Sequence, residues 1–320
     1  MKPLLFFGMV PGISSSISAF FIGRGKSLIV IAVFIGSNLV NIAFDILFVF
    51  GYKDIVPSMG AAGAAYATIL GELFFLTCFG TIFLSKKNRS EFNTSDHHFI
   101  PELMKNCIRV GAPISSGKMI SQLGWWTMMF CFAHTSRDIA TCESFAVILW
   151  TLFIVFADGC SRALTALGSN LIGRCQKKQI QNLIRLFLNA NFIWLAIFSI
   201  PLIFVQGPVL DFAIRVNEDL AGVRADMSYL MTAMWIVFSL DAIYYMICAV
   251  LNSGGDTIFP LILESVTLWF GAVIPTFVMY YTGVLTTIRT VYILIPITQM
   301  INVAVIIMRY RTGRWFKKLI

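Results

Sequence analysis

The sequence predicts an all-α membrane protein, a polytopic helical bundle whose spans fall into two pseudo-repeated lobes of three and six helices. Three observations predict it. The 320 residues are 58% hydrophobic and only 12% charged, roughly half the charged fraction of a soluble domain. So few polar groups cannot cover a water-exposed surface, whereas a bilayer accepts apolar surface. Apolar runs of about twenty residues recur along the chain, and in lipid such a run satisfies its backbone as a helix. The net charge of +8 sits in short loops between these runs rather than on one arm, which fits membrane topology and not a nucleic-acid surface.

Nine runs are long enough to span: 3–23, 27–51, 60–84, 107–133, 139–168, 183–205, 227–251, 258–281 and 287–308. Breakers stand between them at Gly23–Gly25, Gly51 to Pro57, Gly207–Pro208, Ser253–Gly254–Gly255 and Gly283. The longest polar stretch, 85–106, holds Lys86, Lys87, Arg89 and His97–His98. It separates three spans from six. The chain therefore reads as a partial amino-terminal lobe (1–84), a cytoplasmic linker (85–106) and a six-span carboxyl-terminal lobe (107–320). With the carboxyl terminus inside, sixteen of the 24 Lys and Arg face inward, among them Arg174, Lys177, Lys178 and Arg185. Six face outward and two, Lys118 and Arg162, lie in spans.

The odd number of spans puts Met1 outside with almost no polar leader, which suggests that helices once preceded it. An internal repeat points the same way. AFFIGRGKS at 19–27 matches AVLNSGGDT at 249–257, an offset of about 230, and each ends one helix and opens the next through a glycine turn. If each half holds six helices, the first half lacks three; repeats of this kind are a recurring architecture of secondary transporters.

Several chemistries are excluded. The first run has no small-residue cleavage site and is no signal peptide. The seven cysteines lie mostly within apolar runs without a C-x-x-C pair, so they read as packed residues and not as a disulfide framework or zinc site. GRGKS at 23–27 ends like a phosphate-binding loop, but that loop needs a glycine where Phe20 stands, and it follows a strand rather than a span. His97–His98 beside Asp96 reads as a solvated loop, not a metal site. No serine–histidine–acid arrangement or hydrolase-type carboxylate pair occurs in a soluble segment, so the chain does not read as an enzyme. Trp125, Trp126, Trp235 and Trp269 either line a path for aromatic cations or simply pack.

Ionisable groups inside a span are costly and point to function by default. Seven toward the span centres are singled out: Asp45, Glu72, Lys118, Asp158, Arg162, Asp241 and Glu264. Asp45 follows Asn41 by four residues, so the two share a helix face. A carboxylate and an amide oxygen there suit Na⁺, and the carboxylate alone carries a proton; Thr68 of the next span offers a hydroxyl. The same three residues also fit a polar packing cluster between helices. Asp241 lies mid-span with Tyr244 and Tyr245 one turn on. It reads as an ion-exchanging carboxylate, as one facing a watery vestibule, or as one paired with Lys118. Lys118 and Gln122 share a face, where Lys118 is a counter-ion for Asp241 or Glu264 or part of a transport path. Asp158 and Arg162 are spaced to neutralise each other, while Glu72 and Glu264 read as bundle-interior polar residues.

These segments resemble the multidrug and toxic compound extrusion (MATE) family. The strongest likeness is GRGKSLIVIAVFIGSNLVNIAFDILFVFG followed by PSMGAAGAAYAT, against the family's glycine turn, N-x-x-x-D helix ending in Phe-Gly, and M-G-x-x-G-A-A-x-A-T. IRVGAP at 108–113, ALTALGSNLIGR at 163–174 and LDAIYYMICAVLNSGGDT at 240–257 resemble parts of its seventh, eighth and tenth helices. The resemblance covers nearly the whole chain. It implies twelve helices in two lobes and export of organic, often cationic, compounds driven by H⁺ or Na⁺, with no other cofactor. It implies that Asn41, Asp45 and Thr68 form the amino-lobe cation site and that Asp241 is the acid of the carboxyl-lobe site. The family's first-helix aspartate has no counterpart here. Its seventh-helix acid is replaced by PISSGKMISQLGWW, with Lys118 and Gln122, which favours protons at that lobe. The expected protein is a monomeric multi-pass transporter of a bacterial inner (plasma) membrane, binding small organic substrates, a monovalent cation and lipid, but not nucleic acid. A flippase for a lipid-linked precursor and an inactive truncated remnant are the competing expectations; the flippase calls for a strongly cationic cavity.

Overall fold

The computed structural model describes residues 7–51, 57–94, 98–216, 218–313 and 315. Lys2 and Lys53, two of the six outward cations, Arg314, Lys317 and Lys318, three of the sixteen inward ones, and Asp96 and His97 of the polar stretch lie outside them. The described chain is helical, and by contact it divides into two compact units, Met1–Pro101 and Glu102–Ile320.

The first unit holds α1 (Val10–Gly23), α2 (Ser27–Phe50), α3 (Ala61–Phe83) and the short α4 (Lys86–Phe92). α2 and α3 pack closely because glycine removes the side chain where backbones meet. A Cβ on Gly63 would stand 2.5 Å from the Phe48 carbonyl oxygen, and one on Gly71 would stand 3.1 Å from Asn41 Cβ. Ser37 Oγ donates to the Gly71 carbonyl at 2.8 Å across the same seam. At the opposite end Arg24 donates to Asn88 at 3.2 Å, lies 3.7 Å from Glu91, and stacks over Phe92.

The second unit holds α5 (Pro101–Thr135), α6 (Arg137–Gly173), α7 (Lys177–Trp194), α8 (Ile200–Phe204), α9 (Gln206–Val216), α10 (Arg224–Ser253), α11 (Ile258–Leu268), α12 (Ile274–Tyr281) and α13 (Ile288–Arg311). Two π turns, Leu195–Ser199 and Trp269–Val273, join α7 to α8 and α11 to α12. Each precedes a proline, Pro201 and Pro275. Proline has no N–H for the carbonyl four residues back, and the wider π turn takes up the break. Each of the nine expected spans coincides with one of these helices or helix pairs, among which seven described stretches are long and apolar enough to cross a membrane.

The differences have physical causes. Only Val10–Gly23 of the first expected span is described as helix, fourteen residues. α5 runs 35 residues and begins inside the expected linker; Lys118, Gln122 and the paired tryptophans keep it below the apolarity of the seven. α9 begins with Gln206–Gly207–Pro208, read from sequence as a break. Proline in a first turn costs nothing, because its missing N–H has no partner there anyway.

α10 is the axis of the second unit. Two thirds of its most apolar stretch is buried, against α6, α7 and α13. Its amino-terminal part joins a cluster with Phe153, Leu230, Val237, Phe238 and Ile295. Its other part joins a second cluster with Leu164, Met246, Val250, Leu251 and Ile306. Asp241 stands between these two apolar clusters.

The turn after α1 has a left-handed Gly25 (φ +71°), with Gly25 N–H donating to Ile22 and Lys26 N–H to Phe21, both at 2.9 Å. The turn after α10 repeats it at the offset read from sequence: Gly255 (φ +81°), donating to Asn252, and Asp256 to Leu251, both at 3.0 Å. Glycine suits the left-handed position. The turn after α6 has the same bonds, Cys175 to Ile172 and Gln176 to Leu171, at 2.9 Å, but seats a cysteine at φ +58°.

Candidate functional site

Asp241 is 2% exposed at the middle of α10. Trp150 Nε1 of α6 donates to Asp241 Oδ2 at 3.1 Å, and Gln299 Nε2 of α13 donates to Oδ1. The chain of bonds continues outward from Gln299. Asn302 Nδ2 donates to Gln299 Oε1 at 2.6 Å, and Thr267 Oγ1 of α11 donates to Asn302 Oδ1 at 2.6 Å. Four helices thus converge on one buried carboxyl through neutral donors. No ion pair reaches Asp241 among the described residues; Lys118, expected as a counter-ion for Asp241 or Glu264, is exposed on α5, where its charge acts on Glu264 of α11. Gly271, in the π turn, lets that turn press against α13 beside the network: a Cβ there would stand 2.6 Å from Thr298 Oγ1.

A second buried carboxyl escaped the sequence reading. Glu143 is 1% exposed on α6. Its Oε2 accepts from Tyr292 OH of α13 at 2.7 Å, and its Oε1 is buried with no partner. Glu143 and Trp150 are seven residues apart on α6, as are Tyr292 and Gln299 on α13, so both carboxyls sit on one α6–α13 seam about 10 Å apart along the axis. One signal pointed to it: seven-residue spacing from Trp150, two turns along the same face. It lies five residues into the expected span 139–168, away from the span centre where the sequence reading looked.

In the first unit Asn41 and Asp45 lie one turn apart on α2, both half-buried. Asp45 Oδ1 is buried with no hydrogen-bond partner. Thr68 is exposed on α3, and its hydroxyl donates to the Ala64 carbonyl of its own helix at 2.9 Å. Asn41 and Asp45 therefore share a face, while the Thr68 hydroxyl is engaged elsewhere.

Gln122 shares the exposed face of α5 with Lys118. Tyr244 is 4% exposed and donates to the Pro260 carbonyl at 3.2 Å, tying α10 to α11; its ring meets half-buried Tyr245 edge-on. Arg162 bonds Asp158 at 2.8 Å across one helical turn, as their spacing requires. Glu264, expected inside the bundle, is on the exposed side of α11, and Glu72 is half-buried on α3. Trp269, considered for a cation path, donates instead to the Ile120 carbonyl of α5 at 3.1 Å.

Apolar spans in this order make a multi-pass α-helical membrane protein. That fold is the one found in MATE transporters of the MOP superfamily. A MATE in its straight conformation superposes with a TM-score of 0.81 at 18% identity, over 98% of this chain and 69% of that one. An outward-facing multidrug resistance MATE family transporter of the MOP superfamily gives 0.80 at 19%, over 99% and 69%. A MOP superfamily transporter from Pyrococcus furiosus, for which a reversed pocket polarity suggests a different function, gives 0.79 at 19%, over 95% and 67%. No protein-family model and no curated protein sequence matches the chain.

Proposed function

We propose that this chain is a secondary active transporter that exports organic, cationic compounds in exchange for H⁺ or Na⁺ by alternating access. The observation that carries the reading is Asp241: a carboxyl 2% exposed, met among the described residues by neutral donors from α6 and α13. A bare carboxylate with no countercharge is costly in a low-dielectric interior. A small cation taken up from one side and released to the other removes that cost in one state and restores it in the next. A ligand shifts such an equilibrium only by its differential affinity for the two states, and an unpaired buried carboxyl supplies a large difference. Asp45, with its own unsatisfied oxygen, is the corresponding group of the first unit, with Asn41 beside it; Thr68 completes the site if its hydroxyl turns away from Ala64. Glu143 is a further carboxyl available to the same exchange.

The competing flippase reading asks for a strongly cationic cavity. The two cations singled out in the spans each have an acidic neighbour, Arg162 bonded to Asp158 and Lys118 acting on Glu264, so the exporter is favoured. The positive-inside bias supports a cytoplasmic carboxyl terminus in a bacterial inner membrane, and the protein acts as a monomer with no cofactor beyond the coupling ion. Cells expressing the chain should exclude ethidium, and Asp241→Asn, which keeps the shape and loses the charge, should abolish exclusion at equal membrane abundance. Equal exclusion by the two forms would remove the basis for the reading.

A further inference from the structure

We infer that the α6–α7 hairpin carries a binding site for the phosphate-bearing headgroup of an anionic phospholipid. A cavity of about 590 Å³ opens between the end of α6 and the start of α7, a size typical of small-ligand sites. Asn170 of α6, Arg174 just past its end, and Gln179 and Asn182 of α7 form its polar side, and four leucines, two from each helix, form the remainder. The polar positions 170 and 174 are one turn apart, as are 179 and 182, so each helix turns a single mixed face to the cavity. Polar groups beside leucines at the end of two membrane helices match a molecule with a charged head and an apolar tail.

The charge balance calls for an anion from outside the protein. From Gly159 to Leu210 the chain has no Asp or Glu, yet it contains Arg162, Arg174, Lys177, Lys178 and Arg185. The three turns of identical hydrogen-bond pattern make the contrast sharp. At the turn after α1, Arg24 lies 3.7 Å from Glu91. At the turn after α10, Asp256 accepts from Arg309 at 2.7 Å. At the turn after α6, Arg174 sits beside the cavity, and among the described residues neither it, Lys178 nor Arg185 joins an ion pair. Basic pockets between membrane helices hold lipid phosphates by the same charge complementarity, with each cation contributing about fivefold in affinity. This inference needs only that the hairpin lies at a membrane face, so it stands apart from the transport reading.

The test is native mass spectrometry of the full chain in detergent, titrated with phosphatidylglycerol and, separately, with phosphatidylcholine. Phosphatidylglycerol should bind at least about fivefold more tightly. Arg174→Gln should weaken it about fivefold. Arg224→Gln, which removes the same charge from a pair with Asp211, should leave it unchanged. Asn182→Leu, which alters the cavity without altering charge, should weaken phosphatidylglycerol as well, and it serves if Arg174→Gln fails to fold. Equal binding of the two lipids, or equal loss in Arg224→Gln, would overturn the inference. So would displacement of phosphatidylglycerol by millimolar glycerol phosphate, which would make the ligand a free phosphate and not a lipid.

Discussion

Replacing Trp150 by Phe removes one N–H from the Asp241 carboxyl and little else. The lost bond runs from Trp150 Nε1 to Asp241 Oδ2 at 3.1 Å. A hydrogen bond to a charged group contributes about 1.5–3 kcal/mol. Trp150 is half-buried, so the lower end applies, about 1.5 kcal/mol, or roughly tenfold in an equilibrium constant. The loss falls on the ion-free carboxylate, because in the ion-loaded state the oxygen already shares its charge. Trp150→Phe should therefore hold the coupling ion about tenfold more tightly. In proteoliposomes, efflux of a fluorescent cation should half-saturate at a correspondingly lower concentration of Na⁺ or H⁺, and its maximal rate should fall as ion release slows. Trp194 provides the control: its Nε1 is buried without an acceptor and its ring stacks on Phe156, so Trp194→Phe should leave the half-saturation point unmoved. A Trp150→Phe point within twofold of the unmodified protein, or an equal shift in Trp194→Phe, would refute the reasoning.

Further outcomes follow from particular contacts. Gly63→Ala places a methyl 2.5 Å from the Phe48 backbone oxygen, so α2 and α3 must separate; the cost should be about 1–3 kcal/mol, read as a lower midpoint in a thermal unfolding assay of the detergent-solubilised chain. Glu143→Gln keeps a partner for Tyr292 and should be tolerated, whereas Glu143→Leu leaves the Tyr292 hydroxyl without its acceptor and should cost about 1–3 kcal/mol in the same assay. Asp45→Asn should reduce ion-driven efflux without reducing thermal stability, and unaltered efflux would remove Asp45 from the mechanism. Arg309→Gln breaks a partly exposed pair with Asp256, so its cost should stay near or below about 1 kcal/mol.

The helices were legible because lipid leaves the chain few alternatives: an apolar run of spanning length satisfies its backbone by coiling. Asp241 and Asp45 were legible because a carboxylate in such a run stands out against its neighbours. The partners of Asp241 were not. Trp150 lies 91 residues before it and Gln299 lies 58 residues after it, and an indole or an amide in a span reads as packing until the fold brings it to a carboxyl. Lys118 looked like the natural counter-ion because charge complementarity can be read from a list of residues; which face of α5 it occupies cannot. Thr68 was legible as a hydroxyl in the span after that of Asp45, but not its bond to Ala64, since a helix offers every threonine that local acceptor. The two π turns left a trace in Pro201 and Pro275, whereas the pressing of Gly271 against Thr298 is purely tertiary.

The central claim is that a carboxyl held among neutral donors exchanges a small cation for substrate. It is tested most directly by imposing a gradient of the organic cation across proteoliposomes and recording Na⁺ and H⁺ movement in the opposite direction. The unmodified chain should drive counterflow of one of these ions, and Asp241→Asn should drive none while still binding the organic cation. Substrate movement without ion counterflow, or counterflow of equal size in Asp241→Asn, would contradict the account.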